Sequence, residues 1–109
     1  MEFLNRTELA GVVGTSSTKM VGDSKVCRFS LVTEYSYKGS DGGIIIDCTW
    51  FNICVFAGKG IKCDLNQIVR GSKVHVIGRF RCSRYTDAQG NDRSCYEVLA
   101  SEVEIMEED

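Results

Sequence analysis

Alternation of apolar and polar residues with period two is the feature that most restricts the fold of this chain. It is clearest between residues 73 and 82, where Val74 and Val76 share one face and Arg79 and Arg81 share the other. Residues that alternate in this way point to opposite sides of a β-strand. The sequence also contains no Pro, which suits continuous strands. We therefore expect a fold built mostly from β-strands.

Five strands and one helix are predicted along the 109 residues. The strands are expected at about residues 9–14, 26–37, 44–56, 73–85 and 93–106, and residues 15–25 are expected to form a loop. Ile61, Leu65 and Ile68 recur at helical spacing and Gly71 follows, which predicts a short helix of about ten residues. The order β-β-β-α-β-β is that of the OB-fold, a five-stranded Greek-key barrel that is all-β apart from one helix between strands three and four.

Charge is unevenly distributed along the chain. The formal net charge is −2, but residues 102–109 carry five acids and no base, so removing those acids changes the charge to +3. Local basic patches matter more to phosphate binding than the charge of the whole chain. We divide the chain into an OB-fold domain at residues 1–106 and a short acidic end at 107–109. No apolar run of 18 residues and no signal-peptide pattern is found, so we expect a cytoplasmic, nucleoid-associated protein with no membrane contact.

The six cysteines predict neither a metal site nor a disulfide framework. None belongs to a C-x-x-C pair, and no cysteine lies near His75, whereas zinc sites usually need two close pairs of ligands. We expect reduced thiols that act as small apolar side chains, with no metal and no cofactor. No phosphate-binding loop, paired-carboxylate motif or nucleophile elbow occurs, which argues against an enzyme.

Four segments carry a resemblance to a known family. They are Leu4–Gly11, Phe29–Thr33, the Trp-containing Thr49–Phe56, and Arg70–Arg81 running into Tyr85–Arg93 with its Tyr-Thr-Asp-x-x-Gly element. In this order and spacing, from about residue 4 to 106, the chain resembles the bacterial single-stranded DNA-binding protein family. The resemblance implies an OB-fold that binds and protects single-stranded DNA without sequence preference in replication, recombination or repair. It also implies a homotetramer, built as a dimer of dimers.

The resemblance places base-stacking aromatic rings at Tyr37, Trp50, Phe56 and Tyr85. In most relatives the first and last of these are Trp. Trp50 and Phe56 fall on the strand face opposite to Ile53, and they point outward if the aliphatic face fills the barrel. The pattern alone fits a subunit interface equally well.

Tyr37 presents a separate difficulty for the predicted site. By strict alternation it lies with Phe29 and Leu31 on the inward face, so it reaches DNA only if the strand bulges or bends near Thr33–Tyr35. Tyr35 is the alternative ring. The Gly-containing segment that follows, Lys38–Gly43, fits either a mobile finger that closes over DNA or an ordinary hairpin.

Phosphate contacts are predicted mainly on strand four. Arg79 and Arg81 share the outward face with Tyr85, which would combine phosphate binding with base stacking. An ordinary solvated strand face is the alternative. Further candidates for DNA binding are weaker, and they are Arg84, Arg93, Lys59, Lys62 and Lys73.

Two departures from the family pattern affect the expected partners. Relatives carry a flexible linker and an acidic tip with a terminal aromatic residue that recruits replication and repair proteins, whereas residues 105–109 are acidic without that aromatic residue. Phe51 stands where relatives often have a His at a subunit contact. Two other functions therefore stay open: a primosome-type OB protein that mainly bridges replication-restart proteins, and an OB domain that serves only as an oligomerisation or protein-interaction module. Binding to oligo-dT and to duplex DNA separates them.

Overall fold

Five long strands make up the observed fold, and the computed structural model describes residues 1–58 and 61–106. The elements are β1 (Thr7–Val21), β2 (Ser24–Lys38), β3 (Ile44–Phe56), a 3-10 turn at Leu65–Gln67, β4 (Lys73–Thr86) and β5 (Asp92–Ile105). The strands close into a barrel in the order β1-β2-β3-β5-β4, which confirms the predicted OB-fold arrangement. Two predicted features, Lys59 and the acidic end at 107–109, lie outside the described residues.

The barrel closes where β3 and β5 run parallel. Ile53–Val55 lie beside Val98–Ala100, while the other neighbouring strands are antiparallel. Inward side chains of all five strands fill the interior; they are Val13, Cys27, Phe29, Leu31, Ile53, Val55, Val74, Val76, Val98 and Val103. Because neighbours along a strand point to opposite sides, the residues between these positions face outward.

The connection between β3 and β4 differs from the prediction. Where a helix was expected over about residues 61–70, the structure has a three-residue 3-10 turn, Leu65–Gln67, capped by the side chain of Asp64. Leu65 and Ile68 are buried against the barrel interior. The predicted helix is therefore wrong. The helical spacing of these apolar residues arises because the loop places them over one end of the core.

The predicted loop at residues 15–25 is also wrong, because strands occupy most of it. β1 continues to Val21, and Gly22 adopts a φ of +61°, the left-handed conformation that a two-residue hairpin turn needs. The pairing of β1 with β2 shifts between Val13 and Ser16, which is a β-bulge. The first strand therefore continues through an irregularity just after its predicted end at residue 14.

Two strand pairs extend past the barrel as arms. The β2–β3 arm consists of residues 33–38 and 44–49, and the β4–β5 arm consists of residues 82–86 and 92–96. Within the described residues, the strands of each arm pair only with one another. The Cα radius of gyration is 16.1 Å, against about 13 Å for a compact domain of this size.

The face of β4 that carries Val74 and Val76 is buried along only part of its length. Val74, Val76 and Gly78 are buried, whereas Phe80 and Cys82 are exposed. β4 pairs with β1 only as far as Gly78, so β1 does not flank β4 at these later positions.

Asn5 completes the edge of β4 just before β1 begins. Its Nδ2 donates to the carbonyl oxygen of Phe80 at 2.7 Å, and its Oδ1 accepts from the Phe80 N–H at 3.0 Å. These are the two hydrogen bonds that a neighbouring strand would supply. The side chain therefore substitutes for strand pairing at that position.

All six cysteines are free thiols. Burial is the main cause of the raised pKa of the Cys54 and Cys63 thiols, and a raised pKa keeps them protonated and unreactive. Across residues 1–58 and 61–106, no three His, Cys, Asp or Glu side chains are grouped so as to hold a metal ion. No helix in the same residues is long and apolar enough to cross a membrane.

Candidate nucleic-acid interface

Trp50 lies on the outer wall of the barrel at the root of the β2–β3 arm. It pairs with Val32 of β2, and its ring extends across β2 to Gly14 of β1. A Cβ atom at Gly14 would lie 2.5 Å from Cζ3 and 2.8 Å from Cη2 of the indole, so any larger residue would displace the ring. Trp50 is nevertheless 60% exposed. The indole therefore lies along the barrel surface with one face open to solvent.

Phe56 and Tyr85 also point outward. Phe56 is 40% exposed and Tyr85 is 53% exposed, whereas Ile53 and Val55 on the other side of β3 are buried. The outward orientation predicted for Trp50 and Phe56 is confirmed. The two rings are six residues apart, which corresponds to about 20 Å along a strand.

The β2–β3 arm carries its tyrosines on the opposite face from Trp50. Pairing runs without a register shift from Val26 to Lys38, so β2 has no bulge near Thr33–Tyr35. Tyr35 and Tyr37 are both exposed, with ring centroids 6.2 Å apart. The bulge that was to turn Tyr37 toward the face of Trp50 is therefore not found.

A groove of about 500 Å³ lies on the outer surface beside the β4–β5 arm. All five strands contribute polar side chains to its lining, which includes Thr15, Arg28, Ser30, Asn52, Ser83 and Glu97. Tyr85 lines it as well. Sites for small ligands have volumes of roughly 300–1,000 Å³, so the groove has room for one nucleotide.

Two arginines lie close to the buried carboxylate of Glu97, which lines this groove together with one of them, Arg28. Nε and Nη2 of Arg81 lie 2.9 and 2.8 Å from Oε1 of Glu97, and Nε of Arg28 lies 4.0 Å from Oε2. The Glu97 side chain is 7% exposed, compared with 32% for Arg81 and 52% for Arg28. The carboxylate therefore lies deeper than the two guanidinium groups it pairs with.

Arg28 and Glu97 were missed in the sequence analysis. Arg28 alternates with the inward residues Cys27 and Phe29, so its outward position was readable from the sequence. Its proximity to Glu97 depends on the order of strands β2, β3 and β5, which no local pattern reveals.

The predicted cations of β4 and β5 have different surroundings. Arg79 is exposed on the outward face, and Arg93 lies directly opposite Tyr85. Nε of Arg93 donates to Oδ2 of Asp87 at 2.9 Å. Arg84 is one residue from Tyr85 and so lies on the other face of the arm. Arg79 and Arg93 thus share the side of Tyr85, and Arg84 does not.

Lys73 lies at the start of β4, far along the strand from the groove. It is connected to Trp50 by a row of paired residues that crosses β1 and β2. It pairs with Val12, which pairs with Val32, which in turn pairs with Trp50. Three strand spacings of about 4.8 Å separate the two ends of this row. Lys59, the other predicted lysine, is not among the described residues.

The hairpin at the tip of the β4–β5 arm is organised by Asp87. Its carboxylate accepts hydrogen bonds from Arg93 Nε and from the backbone N–H groups of Asn91 and Gln89. These donors, Arg93 first, hold the pKa of Asp87 below its usual value. These hydrogen bonds join the two sides of the loop and connect Arg93 to its tip.

Comparison with known proteins gives the family of this chain. The model of the single-strand binding protein family matches residues 4–106. The chain belongs to this family. Among curated members, it is 27% identical over 108 residues to single-stranded DNA-binding protein 1 of Xylella fastidiosa, covering 97% of this chain and 79% of that protein. It is 25% identical over 105 residues to the Neisseria meningitidis protein, with 94% of this chain covered, and it spans 60% of that protein's length.

Solved structures of other single-strand binding proteins share the fold. The Plasmodium falciparum protein, solved as a complex with single-stranded DNA, matches with a TM-score of 0.73 and 22% identity over 98% of each chain. A deletion mutant of the Thermus aquaticus protein matches with a TM-score of 0.74 and 14% identity, covering 95% of this chain and 51% of that one. The barrel described above is thus the fold of these two single-strand binding proteins.

Proposed function

We propose that this protein binds single-stranded DNA without sequence preference, stacking bases on Trp50, Phe56 and Tyr85. Membership of the single-strand binding protein family supports the proposal. The observation that carries it is the open indole face of Trp50 on the outer wall of a barrel whose strand β4 holds Arg79 and Arg81 on its own outward face. Every base has a π-face and every nucleotide has a phosphate, so proteins of this class bind all sequences by combining rings with cations.

The biological role that follows is protection of exposed single strands during replication, recombination or repair. Such a role requires binding and release but no bond-making step, so the protein acts as a binding protein and not as an enzyme. It would work wherever single strands arise, which for a bacterial member of the family is the nucleoid in the cytoplasm.

Assembly into a homotetramer, a dimer of dimers, is part of the same proposal. Exposed apolar side chains support it, among them Phe3, Leu4 and Ile44. Light scattering in solution tests it, because the chain mass is 12.1 kDa. A particle mass equal to that of one chain would contradict the proposal.

A protein-bridging function is the second candidate, and the β2–β3 arm favours it. Tyr35, Ile44 and Ile46 are exposed there, and apolar surface of this kind is common at protein contacts. A bridging protein would bind DNA weakly, and substitutions on this arm would abolish its partner contacts while leaving DNA binding unchanged.

Titration with oligo-dT tests the main proposal directly. Trp50 is the only Trp of the chain, so its fluorescence reports on this surface alone. We expect strong quenching by oligo-dT, much weaker binding of a duplex of equal length, and an affinity that falls with salt with a slope of about −0.7 per phosphate contacted. Equal affinity for the two DNAs, or binding without quenching, would contradict the proposal.

A further inference from the structure

Glu97 carries a negative charge on a surface that is proposed to bind the negatively charged phosphates of DNA. A carboxylate repels DNA, and burying one is costly unless it is paired. Yet Glu97 as a whole residue is only 5% exposed, and it lines the same groove as Tyr85 and Arg28. Stacking on Trp50, Phe56 and Tyr85 makes no use of it. Its contacts therefore need a separate explanation.

The hydrogen bonds of Glu97 fix the position of Arg81. Two nitrogens of the guanidinium group, Nε and Nη2, converge on Oε1. Charge-assisted hydrogen bonds of this kind are short and directional, so they restrict a long side chain that otherwise samples many rotamers. Nη2 also lies 4.0 Å from Sγ of Cys54, and neither contact with Glu97 uses the third nitrogen, Nη1.

Arg28 is held near Arg81 by the same carboxylate. The two arginines come from β2 and β4, which are not adjacent in the barrel, and β3 and β5 lie between them. Two guanidinium groups repel each other, but the Oε2 atom of Glu97 lies 4.0 Å from Nε of Arg28 and offsets that repulsion. The cluster has two positive charges and one deeper negative charge. Its exposed side is therefore cationic.

We propose that Glu97, at the wall of the groove, is a positioning residue that holds Arg28 and Arg81 together as a preformed phosphate site. This proposal rests on the proposed function and adds two things to it. It adds Arg28 as a residue that contacts DNA, and it assigns the buried carboxylate a favourable effect on binding. A site prepared before DNA arrives binds more tightly because less side-chain freedom is lost on binding.

A purely electrostatic effect of Glu97 has the opposite sign. If the carboxylate only repels phosphates, then Glu97→Gln removes a negative charge and DNA binds more tightly. If the carboxylate positions the arginines, Glu97→Gln keeps the shape of the side chain but loosens both guanidinium groups, and DNA binds less tightly. The direction of the change therefore separates the two explanations.

The first experiment measures oligo-dT affinity for Glu97→Gln by Trp50 fluorescence at several salt concentrations. We expect roughly fivefold to tenfold weaker binding at low salt, since hydrogen bonds to charged groups are strong but these groups are partly exposed. The salt slope should become shallower by about 0.7 for each phosphate that the variant no longer binds. Unchanged or tighter binding by a folded Glu97→Gln protein would overturn the proposal.

Glu102→Gln is the matched control. Glu102 lies on the same strand, is exposed and undergoes the same change of charge, but it is not among the residues that line the groove. We expect its affinity to equal that of the wild type or to rise slightly. An equal loss in both variants would show that the effect is not specific to the cluster and would overturn the proposal.

A double-mutant cycle with Arg28→Ala tests the coupling. Arg28→Ala alone should make the salt slope shallower by about 0.7, the value for one phosphate. In the Arg28→Ala protein, Glu97→Gln should reduce the oligo-dT affinity by a clearly smaller factor than it does in the wild type, because one of the two positioned arginines is already gone. Additive losses would mean that Glu97 does not act through Arg28.

A readout without DNA covers the case in which Glu97→Gln folds poorly. In the free wild-type protein, the Nε–H proton of Arg81 should exchange slowly with solvent and give its own NMR signal. In Glu97→Asp, which keeps the charge but shortens the side chain, that exchange should be faster and oligo-dT binding should weaken. A rapidly exchanging Nε–H in the wild type would overturn the proposal.

Failure of this proposal is distinguishable from failure of the proposed function. A wild-type protein that shows no preference for oligo-dT would contradict the function itself, and the phosphate site would fail with it. A wild-type protein that binds oligo-dT with quenching, while Glu97→Gln binds equally well, would contradict only the positioning by Glu97.

Discussion

The two arms that leave the barrel are built from different side chains. Both are antiparallel strand pairs, and both expose two tyrosines. The β2–β3 arm adds the exposed isoleucines Ile44, Ile45 and Ile46, whereas the β4–β5 arm adds exposed Arg84 and Arg93. The arms therefore share a shape but offer different chemistry to a partner.

The tips of the arms differ in the same way. The β2–β3 arm turns through Gly-rich residues, where the Gly43 N–H donates a hydrogen bond to the side chain of Asp41. The β4–β5 arm turns around Asp87, which accepts three hydrogen bonds and holds Arg93. Fixed cations suit a phosphate backbone, and exposed aliphatic side chains do not. We expect the DNA-binding energy to come from the barrel wall and the β4–β5 arm.

The largest effect is expected for Trp50→Ala, the ring on the barrel wall between the arms. Loss of one base stack in proteins of this class costs roughly 1–3 kcal/mol. The fold should survive, because Trp50 is largely exposed. Labelled oligo-dT measures the affinity by anisotropy, and circular dichroism checks the fold. Trp50→Phe should recover part of the loss, and an unfolded Trp50→Ala protein would show that the ring is structural.

For Tyr85→Ala on the β4–β5 arm we expect a smaller loss of DNA-binding free energy, about 1–2 kcal/mol. Tyr96→Ala is the matched control, because Tyr96 is exposed on the same arm but pairs with Cys82, on the other face. We expect its DNA affinity to be unchanged. Similar losses in both variants, measured by anisotropy, would mean that DNA does not distinguish the faces of this arm.

Tyr37→Ala tests whether the β2–β3 arm binds DNA. It should reduce the DNA-binding free energy by less than about 0.5 kcal/mol, well below the value for the loss of one base stack. The reason is that Tyr37 lies on the face opposite to Trp50. The same titration measures it beside Tyr85→Ala. A loss of affinity as large as that of Tyr85→Ala would mean that DNA contacts both arms.

The smallest effect is expected for Asp87→Asn, and it is an effect on the stability of the fold that depends on pH. The folded-state pKa of Asp87 is lowered from the ordinary value of 3.8, so its stabilising contribution is present above that value and is lost as the pH falls through the lower folded-state pKa. Wild type should therefore be the more stable protein near neutral pH, and the difference should shrink in strong acid. Thermal unfolding of both proteins from about pH 2 to pH 7 measures it. A difference that grows in acid would contradict the assigned hydrogen bonds.

The strands that bury one face were readable from the sequence, and the two misread segments were not. β3 to β5 alternate between a filled interior and solvent, so their bounds were predicted closely. The segment at 15–21 is mostly polar and is itself largely exposed, although the β2 residues it pairs with include buried Cys27 and Phe29, and it therefore looked like a loop. Leu65 and Ile68 had helical spacing because a loop must also place apolar residues over the core.

The candidate site was predictable only where it depends on one strand. Trp50 and Phe56 were assigned outward because the alternation of β3 is regular. Arg81 was correctly placed on the outward face, but its pairing with Glu97 depends on the register between β4 and β5. The approach of Glu97 to Arg28 spans three strands of the barrel, and period-two patterns carry no information on strand order.

Asn5 has a consequence for how copies of this chain behave at high concentration. Past Gly78 the backbone of β4 has no β1 residue paired with it, and the N–H and C=O of Phe80 would attract any extended peptide. A side-chain amide that occupies both groups closes this edge to β-strand addition. One side chain therefore blocks strand addition at Phe80, the first outward-facing pair of backbone groups on β4 beyond its pairing with β1.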